Sequence, residues 1–242
     1  MQIIDQNERI AILGASRGLG LELLKKILEK TRANLWVSSR KIGILNDNEY
    51  LREFQDRIES ISLDYSKPSD VDKLIECLLL YKPTRLFYCA GGGPFGLYSD
   101  KPWHSHTWAF NLNLLVPAQL LHTILKNKEN HFETLKQVIF IGSSIAENAP
   151  DPGASSYASA KHGLNGLIKS VVMETQATPI DLRLYSPGYM DTGLLPPNSR
   201  PRLDGSLIAD PEKIAEDLLD WAHTPIDKLQ WHRVSNGNEF MK

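Results

Sequence analysis

The chain has 242 residues, of which 42% are hydrophobic and 23% charged, and its formal net charge is −2. This length and composition suit a single globular domain over residues 1–242 that can bury a substantial core. A charge so close to zero lacks the basic excess of a dedicated nucleic-acid-binding protein, so we expect no nucleic-acid partner.

Cys77 and Cys89 are the only cysteines, and neither lies in a C-x-x-C or Cys/His metal spacing. His104 and His106, the closest histidine pair, have no cysteine or carboxylate at a ligand interval, so we expect no metal. The amino-terminal residues do not resemble an export signal, and no apolar run approaches the roughly 20 residues that span a bilayer. We therefore expect a soluble cytoplasmic protein without a membrane partner.

The first half of the chain alternates short apolar runs with amphipathic stretches, which predicts strands alternating with helices. The predicted strands are Arg9–Leu13, Asn34–Ser38, a weaker Ile58–Leu63, and Arg85–Cys89. The predicted helices are Gly18–Lys30 and Ser69–Leu80, and Ser69 could cap the second of these.

The second half keeps this rhythm, with strands at Gln137–Ile141 and Asp181–Tyr185. Its predicted helices run around Trp108–Lys126, around Ser155–Thr175, and over Pro211–Ala222. Strands joined by helices pair in parallel through right-handed crossovers, which predicts an α/β fold with a doubly wound parallel sheet and helices on both faces. Ligands of such sheets bind beyond the carboxyl ends of the strands.

A glycine-rich turn, GASRGLG, separates the first predicted strand from the first helix. Its Gly14, Gly18 and Gly20 do not form the G-x-G-x-x-G pattern, and the Lys-Ser/Thr ending of a Walker loop is missing. Glycines still allow close backbone approach, and the amides at a helix start favour a pyrophosphate. We expect a dinucleotide here; the alternative is an ordinary turn that happens to use three glycines.

Two arginines indicate which dinucleotide binds. Arg17 lies inside the glycine turn, and Arg40 follows the second strand, where an NAD site would place an acidic residue for the ribose hydroxyl. A guanidinium suits a phosphate on that ribose, so we expect NADP in preference to NAD. The alternative is that Arg40 and Lys41 are solvated loop charges.

Tyr157 and Lys161 lie four residues apart in a predicted helix and so share one face. Ser144, thirteen residues before Tyr157, follows a strand at the expected cofactor edge. We expect Lys161 to lower the pKa of the Tyr157 phenol, which then exchanges a proton with a carbonyl or alcohol oxygen. Ser144 would hydrogen-bond the same oxygen. The adjacent Ser143 is interpreted as a turn residue, because I-G-S-S-I is not a hydrolase elbow.

These motifs resemble the short-chain dehydrogenase/reductase family, whose pattern is T-G-x-x-x-G-x-G, N-N-A-G, a catalytic Asn, a Ser and Y-x-x-x-K. The resemblance covers nearly the whole chain and implies a Rossmann fold. It implies that Asn113 kinks its helix and holds a water for a proton relay to lysine, with Asn111 the less suited candidate. The catalytic residues expected are therefore Asn113, Ser144, Tyr157 and Lys161.

The glycine turn, the arginines and the family resemblance together imply a set of cofactor-binding residues. Asp64 resembles the residue that contacts adenine, and the segment SPGYMDTG resembles the one that clasps the nicotinamide. The expected set is Gly14, Ser16, Arg17, Gly18, Leu19, Gly20, Arg40, Asp64, Ala90, Gly91, Tyr157, Lys161, Pro187, Gly188 and Thr192.

The chain also departs from the family pattern. Leu13 stands where threonine is common, and Tyr88-Cys89-Ala90-Gly91 replaces N-N-A-G, so side-chain bonds that usually brace the sheet are missing or substituted. The carboxyl end lacks the family's usual glycine-rich segment, so the sequence pattern does not locate the last strand.

Residues 189–210 are rich in Pro, Leu and Arg and follow the nicotinamide segment, which suits a lid over the substrate. Leu194, Leu195 and Leu203 would give it an apolar lining and favour a moderately apolar carbonyl compound. The aromatic residues Trp103, Trp108 and Phe95 could line the same cleft, although large aromatics more often belong to the core.

The sequence thus predicts an NADP(H)-dependent oxidoreductase that interconverts a small-molecule carbonyl and an alcohol. One alternative is a non-catalytic dinucleotide-sensing or scaffold protein on the same fold. Another is an epimerase or dehydratase that retains its nicotinamide. The apolar faces of the long helices would permit a homodimer or homotetramer, although burial within one chain explains them equally well.

Overall fold

A computed structural model of the chain describes residues 8–45, 47–147, 151–175, 180–225 and 231–235. Its centre is a seven-stranded parallel sheet with the order β3-β2-β1-β4-β5-β6-β7. The strands are β1 Arg9–Leu13, β2 Asn34–Ser39, β3 Ile58–Ser62, β4 Arg85–Tyr88, β5 Gln137–Ile141, β6 Asp181–Pro187 and β7 His232–Ser235. The strand order reverses between β1 and β4, and a ligand crevice is expected at such a switch point.

Helices connect the strands and cover both faces of the sheet. They are α1 Gly18–Lys30, α2 Glu49–Arg52, α3 Pro68–Tyr81, α4 Trp103–Phe110, α5 Val116–Lys126, α6 Ser155–Glu174, α7 Arg200–Leu203 and α8 Pro211–Ala222. A π-helix, Asn111–Leu115, joins α4 to α5, and short 3₁₀ turns include Ser144–Ala146. None of the helices in the described ranges is long and apolar enough to cross a membrane.

The alternating side chains of β1 show why the sheet needs cover on both faces. Ile10 and Ile12 pack into one hydrophobic core together with residues of α1 and α8. Ala11 and Leu13 point the other way, into a second core built with residues of α3, α5 and α6. Strands that are buried on both faces have continuous apolar sequences, as β1 does. The parallel strand order and the helices on both faces confirm the predicted doubly wound α/β sheet.

Two predicted helix starts differ from the structure. The prediction that Ser69 caps its helix is wrong, because α3 begins at Pro68 with Lys67 at the cap position and no side-chain cap. Proline suits the first helical position, since it lacks the amide that a cap would satisfy. The helix predicted around Trp108 begins at Trp103 and is interrupted by the π-helix. Strand ends differ by one or two residues, and β6 extends to Pro187.

The carboxyl-terminal part of the chain contributes a seventh strand, although it lacks the glycine-rich segment of the family pattern. β7 pairs in parallel with β6, with Leu184 opposite His232 and Pro187 opposite Ser235. The sheet therefore extends two strands beyond β5, and β6 lies between neighbours on both sides.

Candidate active site

A cleft of about 460 Å³ opens at the carboxyl ends of the strands, next to the switch point. Its walls include the β1–α1 turn, the ends of β2, β4 and β5, the start of α6, and the segment after β6. Every residue of the expected cofactor-binding set lines this cleft.

The glycine turn has geometry that only glycine can adopt. Gly14 has a φ of 95°, and a Cβ atom there would lie 2.6 Å from the backbone nitrogen of Ala90. A Cβ atom on Gly20 would lie 2.2 Å from the carbonyl oxygen of Gly14. Both distances are shorter than any real Cβ contact, so the backbones of β1, α1 and the β4 loop pack directly against one another.

The amino terminus of α1 is open toward the cleft. Arg17 stands at the cap position with extended backbone and makes no side-chain cap hydrogen bond, and the first turn carries no acidic residue. The first helical amides and the positive end of the helix dipole are then available to an anion. This arrangement fits the pyrophosphate of a dinucleotide.

The end of β2 carries the groups suited to a ribose phosphate. Ser39 borders the cleft and is only 7% exposed, and its buried hydroxyl has no hydrogen-bond partner in the described part of the chain. The Arg40 guanidinium lies 5.2 Å from the ring centroid of Trp108, within range of a cation–π contact. A buried unpaired hydroxyl beside an arginine fits a bound phosphate, and sequence reasoning overlooked Ser39.

Asp64 lines the cleft next to this arginine. Burial raises the pKa of its carboxyl, but hydrogen bonds from Ser66 and the charges of Arg40 and Lys67 outweigh burial, so the pKa is lowered. Asp64 is thus held as a carboxylate, a hydrogen-bond acceptor suited to an adenine amino group.

Tyr157 and Lys161 come together on one face of α6. Lys161 Nζ lies 5.6 Å from the centroid of the Tyr157 ring and donates a 2.7 Å hydrogen bond to the Ile141 carbonyl. Burial lowers the pKa of Lys161 to about 8. Burial also raises the pKa of the Tyr157 phenol, and a hydrogen bond from Ser143 opposes this rise. The pKa of the phenol is therefore raised, whereas the sequence analysis expected Lys161 to lower it.

Of the two adjacent serines, Ser143 is the one that lines the cleft with Tyr157. Ser143 lines the cleft and continues the extended backbone after β5, with φ −167° and ψ 144°. Ser144 begins a 3₁₀ turn and is absent from the described lining. Ser144, the serine expected to be catalytic, is thus the direct neighbour of a cleft-lining residue, because the 3₁₀ turn begins immediately after Ser143. The Ser143 hydroxyl also accepts from the Ile145 amide at 3.4 Å, so its predicted turn role is present as well.

Asn113 lies behind the cleft wall, with no exposed surface. Its Nδ2 donates to the carbonyls of Gly92, at 2.6 Å, and Ala109, at 2.7 Å, while its Oδ1 accepts from the Gly92 amide at 3.3 Å. It sits in the π-helix, and Pro117, four residues later, has no amide to bond its carbonyl in α-helical register. The kink implied by the family resemblance is therefore present at Asn113.

The segment after β6 closes the far side of the cleft. Pro187, Gly188 and Thr192 line it, and a Cβ atom on Gly18 would lie 3.4 Å from the Thr192 methyl group. The start of α1 and this segment therefore face each other across a narrow gap.

Residues 189–201 contribute much of the outer wall. Leu194, Leu195 and Pro196 line the cleft, whereas Leu203, which was expected to line it, is 74% exposed. The Tyr189 hydroxyl donates to both carboxylate oxygens of Asp151, at 2.9 and 2.8 Å.

The remaining aromatic and histidine candidates divide between cleft, surface and core. Trp108 and Phe95 line the cleft, whereas Trp103 is 64% exposed and is not part of the lining. His106 is buried, with Nδ1 2.6 Å from the Ser156 hydroxyl and Nε2 3.1 Å from the Tyr98 carbonyl. Among the described residues, no group of three or more metal-ligating side chains occurs.

Comparison with known proteins identifies the family of the chain. The sequence matches the short chain dehydrogenase family over residues 8–202. It is 26% identical to the 3-oxoacyl-(acyl-carrier-protein) reductase FabG of Buchnera aphidicola, over 97% of this chain and 93% of that protein.

Solved structures of similar proteins share the fold. A 3-ketoacyl-(acyl-carrier-protein) reductase from Brucella melitensis, complexed with NADH, has a TM-score of 0.80 at 18% identity and covers 96% of this chain and 97% of its own. An alcohol dehydrogenase from Thermococcus sibiricus, complexed with 5-hydroxy-NADP, has a TM-score of 0.78 at 20% identity, with coverage of 96% and 97%. Because the sequence match spans the glycine turn, the Tyr157–Lys161 pair and most of the sheet, the chain belongs to the short-chain dehydrogenase family of oxidoreductases.

Proposed function

We propose that this oxidoreductase is an NADPH-dependent reductase that interconverts a carbonyl and an alcohol, with Tyr157 as general acid/base. The observation that carries this proposal is the placement of Tyr157, Lys161 and Ser143 on the wall of the same cleft that the glycine turn borders. A bound nicotinamide dinucleotide would supply the hydride.

The protonation states of the side chains suit the direction of reduction. Burial raises the pKa of Tyr157, so its phenol is protonated near neutral pH and can donate to a substrate carbonyl oxygen. Ser143 would hydrogen-bond the same oxygen and stabilise the charge that develops on it. Lys161, whose pKa is lowered to about 8, would return a proton to the phenol after each turnover.

The proposed route for that proton passes behind the cleft. Lys161 is held against the Ile141 carbonyl, and a Cβ atom on Gly91 would lie 3.9 Å from Lys161 Nζ and 3.2 Å from Asn113 Oδ1. Asn113 and Lys161 thus border one small space next to Gly91. We propose that a water in this space, hydrogen-bonded to the backbone carbonyl of Asn113, returns a proton to Lys161.

The preference for NADPH rests on the end of β2. Arg40 and the unpaired hydroxyl of Ser39 offer charge-assisted and neutral hydrogen bonds to a 2′-phosphate. The sequence from Ser38 to Lys41 holds no acidic side chain to accept from an unmodified ribose. Relatives of known structure bind both types of dinucleotide, so the preference must be measured on this chain.

The substrate is proposed to be a moderately apolar carbonyl compound. Leu194, Leu195 and Phe95 border the same cleft as Tyr157, and residues 189–210 would act as a lid within a single domain. The contact of Tyr189 with Asp151 joins this segment to the loop before α6 and would hold the lid closed.

We also propose a cytoplasmic location, because Cys77 and Cys89 are free thiols, as expected in a reducing compartment. Exposed Leu115 and Met173 would allow a homodimer or homotetramer through the long helices. Light scattering of the purified protein tests the assembly state.

The experiment that tests the function is a turnover assay over a panel of ketones and aldehydes, with NADPH and NADH compared at equal concentration. We expect reduction of apolar carbonyls with NADPH favoured. Tight NADPH binding without turnover of any compound, in either direction, would instead indicate a dinucleotide-sensing protein.

A further inference from the structure

Tyr88, the first residue of the segment that departs from the family pattern, makes a contact with the helix that carries Asn113. It is the last residue of β4 and is only 1% exposed, with its ring packed between those of Tyr65 and Phe140. Its hydroxyl donates a 2.8 Å hydrogen bond to the backbone carbonyl of Leu112. This carbonyl belongs to the π-helix, one residue before Asn113.

The Leu112 carbonyl needs a partner from outside its own helix. In α-helical register its partner would be the amide of Val116, but that amide donates to Asn111, five residues earlier. In π-helical register its partner would be residue 117, which is proline and has no amide. The Tyr88 hydroxyl therefore satisfies a buried carbonyl that the π-helix and Pro117 together leave without an amide.

The loop that follows Tyr88 holds the next residue of the π-helix. Gly92 exchanges two hydrogen bonds with the Asn113 side chain, through its carbonyl at 2.6 Å and its amide at 3.3 Å. β4 and its loop thus contact two successive residues of the π-helix, Leu112 through Tyr88 and Asn113 through Gly92. These contacts hold the π-helix against β4 and its loop at Asn113.

We propose that Tyr88 is a positioning residue for the reaction: its hydroxyl holds the π-helical turn in the conformation that presents Asn113 to the proton relay of Lys161. Tyr88 is not among the residues that line the cleft, so it would act through the π-helix and not by contact with a cofactor or substrate. The inference rests on the proposed function for its effect on turnover, but the contact itself can be tested independently of activity.

Tyr88→Phe removes this one hydroxyl and keeps the packed ring. Tyr81→Phe is a matched control, because Tyr81 is also buried and its hydroxyl donates to a backbone carbonyl, that of Asn34, at the same distance of 2.8 Å. That contact joins α3 to the start of β2, at the edge of the sheet opposite the cleft. Both variants thus lose a buried tyrosine-to-carbonyl bond, and only one loses contact with the π-helix.

For Tyr88→Phe we expect kcat to fall about tenfold or more, with KM for NADPH within about twofold of the wild type, because misplacing a relay group slows proton transfer without altering cofactor contacts. Hydrogen exchange of a peptide covering residues 108–118 should accelerate in this variant only. Tyr81→Phe should lose comparable thermal stability and keep its kcat.

The outcomes separate the two proposals. An active wild type whose kcat falls equally in both variants, or in neither, overturns the positioning role and leaves the reductase assignment standing. A wild type that reduces no carbonyl overturns the reductase assignment, while exchange of the 108–118 peptide still tests the contact. Unchanged exchange of that peptide in Tyr88→Phe overturns the inference in either case.

Pro117→Ala gives a second test. It supplies the missing amide in π-helical register, so the Leu112 carbonyl gains a partner within its own helix. In that background Tyr88→Phe should accelerate exchange of the 108–118 peptide much less than in the wild type. Equal acceleration in both backgrounds contradicts the proposal that Tyr88 compensates for Pro117.

Discussion

Lys161 Nζ lies 5.6 Å from the ring centroid of Tyr157, and both side chains border the cleft from neighbouring turns of α6. The hydrogen bond from Lys161 Nζ to the Ile141 carbonyl holds the amine near the Tyr157 ring. This relationship places the proposed proton donor beside a buried group that can recharge it.

Removing the phenol hydroxyl should stop the reaction without preventing cofactor binding. Tyr157→Phe is expected to lower kcat by about 10²–10⁴-fold, the range for loss of a general acid. The affinity for NADPH, measured by fluorescence titration, should stay within about threefold. Turnover close to that of the wild type would show that another group donates the proton.

The two adjacent serines can be distinguished by single substitutions. Ser143→Ala should reduce kcat by about a hundredfold, because Ser143 lines the cleft with Tyr157 and opposes the rise in the pKa of the phenol. Ser144→Ala, in the 3₁₀ turn, should have a much smaller effect. Steady-state kinetics with one substrate decide between them, and a larger loss in Ser144→Ala would restore the assignment made from the sequence.

Charge reversal at the end of β2 tests the cofactor preference. Arg40→Asp should weaken NADPH binding by about ten- to a hundredfold, since a hydrogen bond between charged groups contributes about 1.5–3 kcal/mol. NADH, which lacks the phosphate, should bind almost unchanged. Arg52→Asp, an exposed residue of α2 outside the cleft lining, controls for the change in net charge. Equal losses for both cofactors in Arg40→Asp would show that Arg40 does not contact the phosphate.

The glycine turn should not tolerate a side chain. In Gly20→Ala the new methyl group would meet the Gly14 carbonyl, so the turn must shift, and both cofactor affinity and thermal stability should fall. Gly166→Ala is the matched control, since a Cβ atom there meets nothing within 4 Å. As Gly166 lies inside α6, that variant should be more stable by about 0.5–1 kcal/mol. Calorimetry and NADPH titration of both variants measure the contrast.

His223 makes the fold sensitive to acid. Burial, followed by the charge of Arg85, lowers its pKa from 6.5 to about 4. The unfolded chain therefore binds more protons than the folded chain between these two values, and the free energy of unfolding falls as the pH drops through this window. Histidine-to-glutamine substitution at position 223 should flatten this decline.

Thermal unfolding midpoints measured from pH 7 to pH 4 check this prediction. The exposed His104 provides the control, and His104→Gln should leave the slope unchanged. If the His223→Gln and wild-type curves run parallel across the whole range, the histidine is not the responsible group.

Much of the fold could be predicted because its signals are local. The apolar runs of β1 and β5 and the amphipathic pattern of α1 and α8 agree with the structure to the residue. The start of α3 could not be predicted from Ser69, because Pro68 determines the first turn more strongly than a hydroxyl does. The family resemblance implied a kink at Asn113 but not a π-helix, whose register depends on Pro117 and on partners from β4.

The sequence by itself determined the order of strands and helices, the glycine turn, and the pairing of Tyr157 with Lys161, because each depends on spacing within one element or between direct neighbours. Only the tertiary structure decided which of the two serines lines the cleft, that the Ser39 hydroxyl is buried without a partner among the described residues, and that the Tyr88 hydroxyl bonds the π-helix. Each of these depends on how residues far apart in the chain pack together. Side-chain burial, which raises the pKa of Tyr157 against the expectation from Lys161, is likewise a property of the packed molecule and has no local signature.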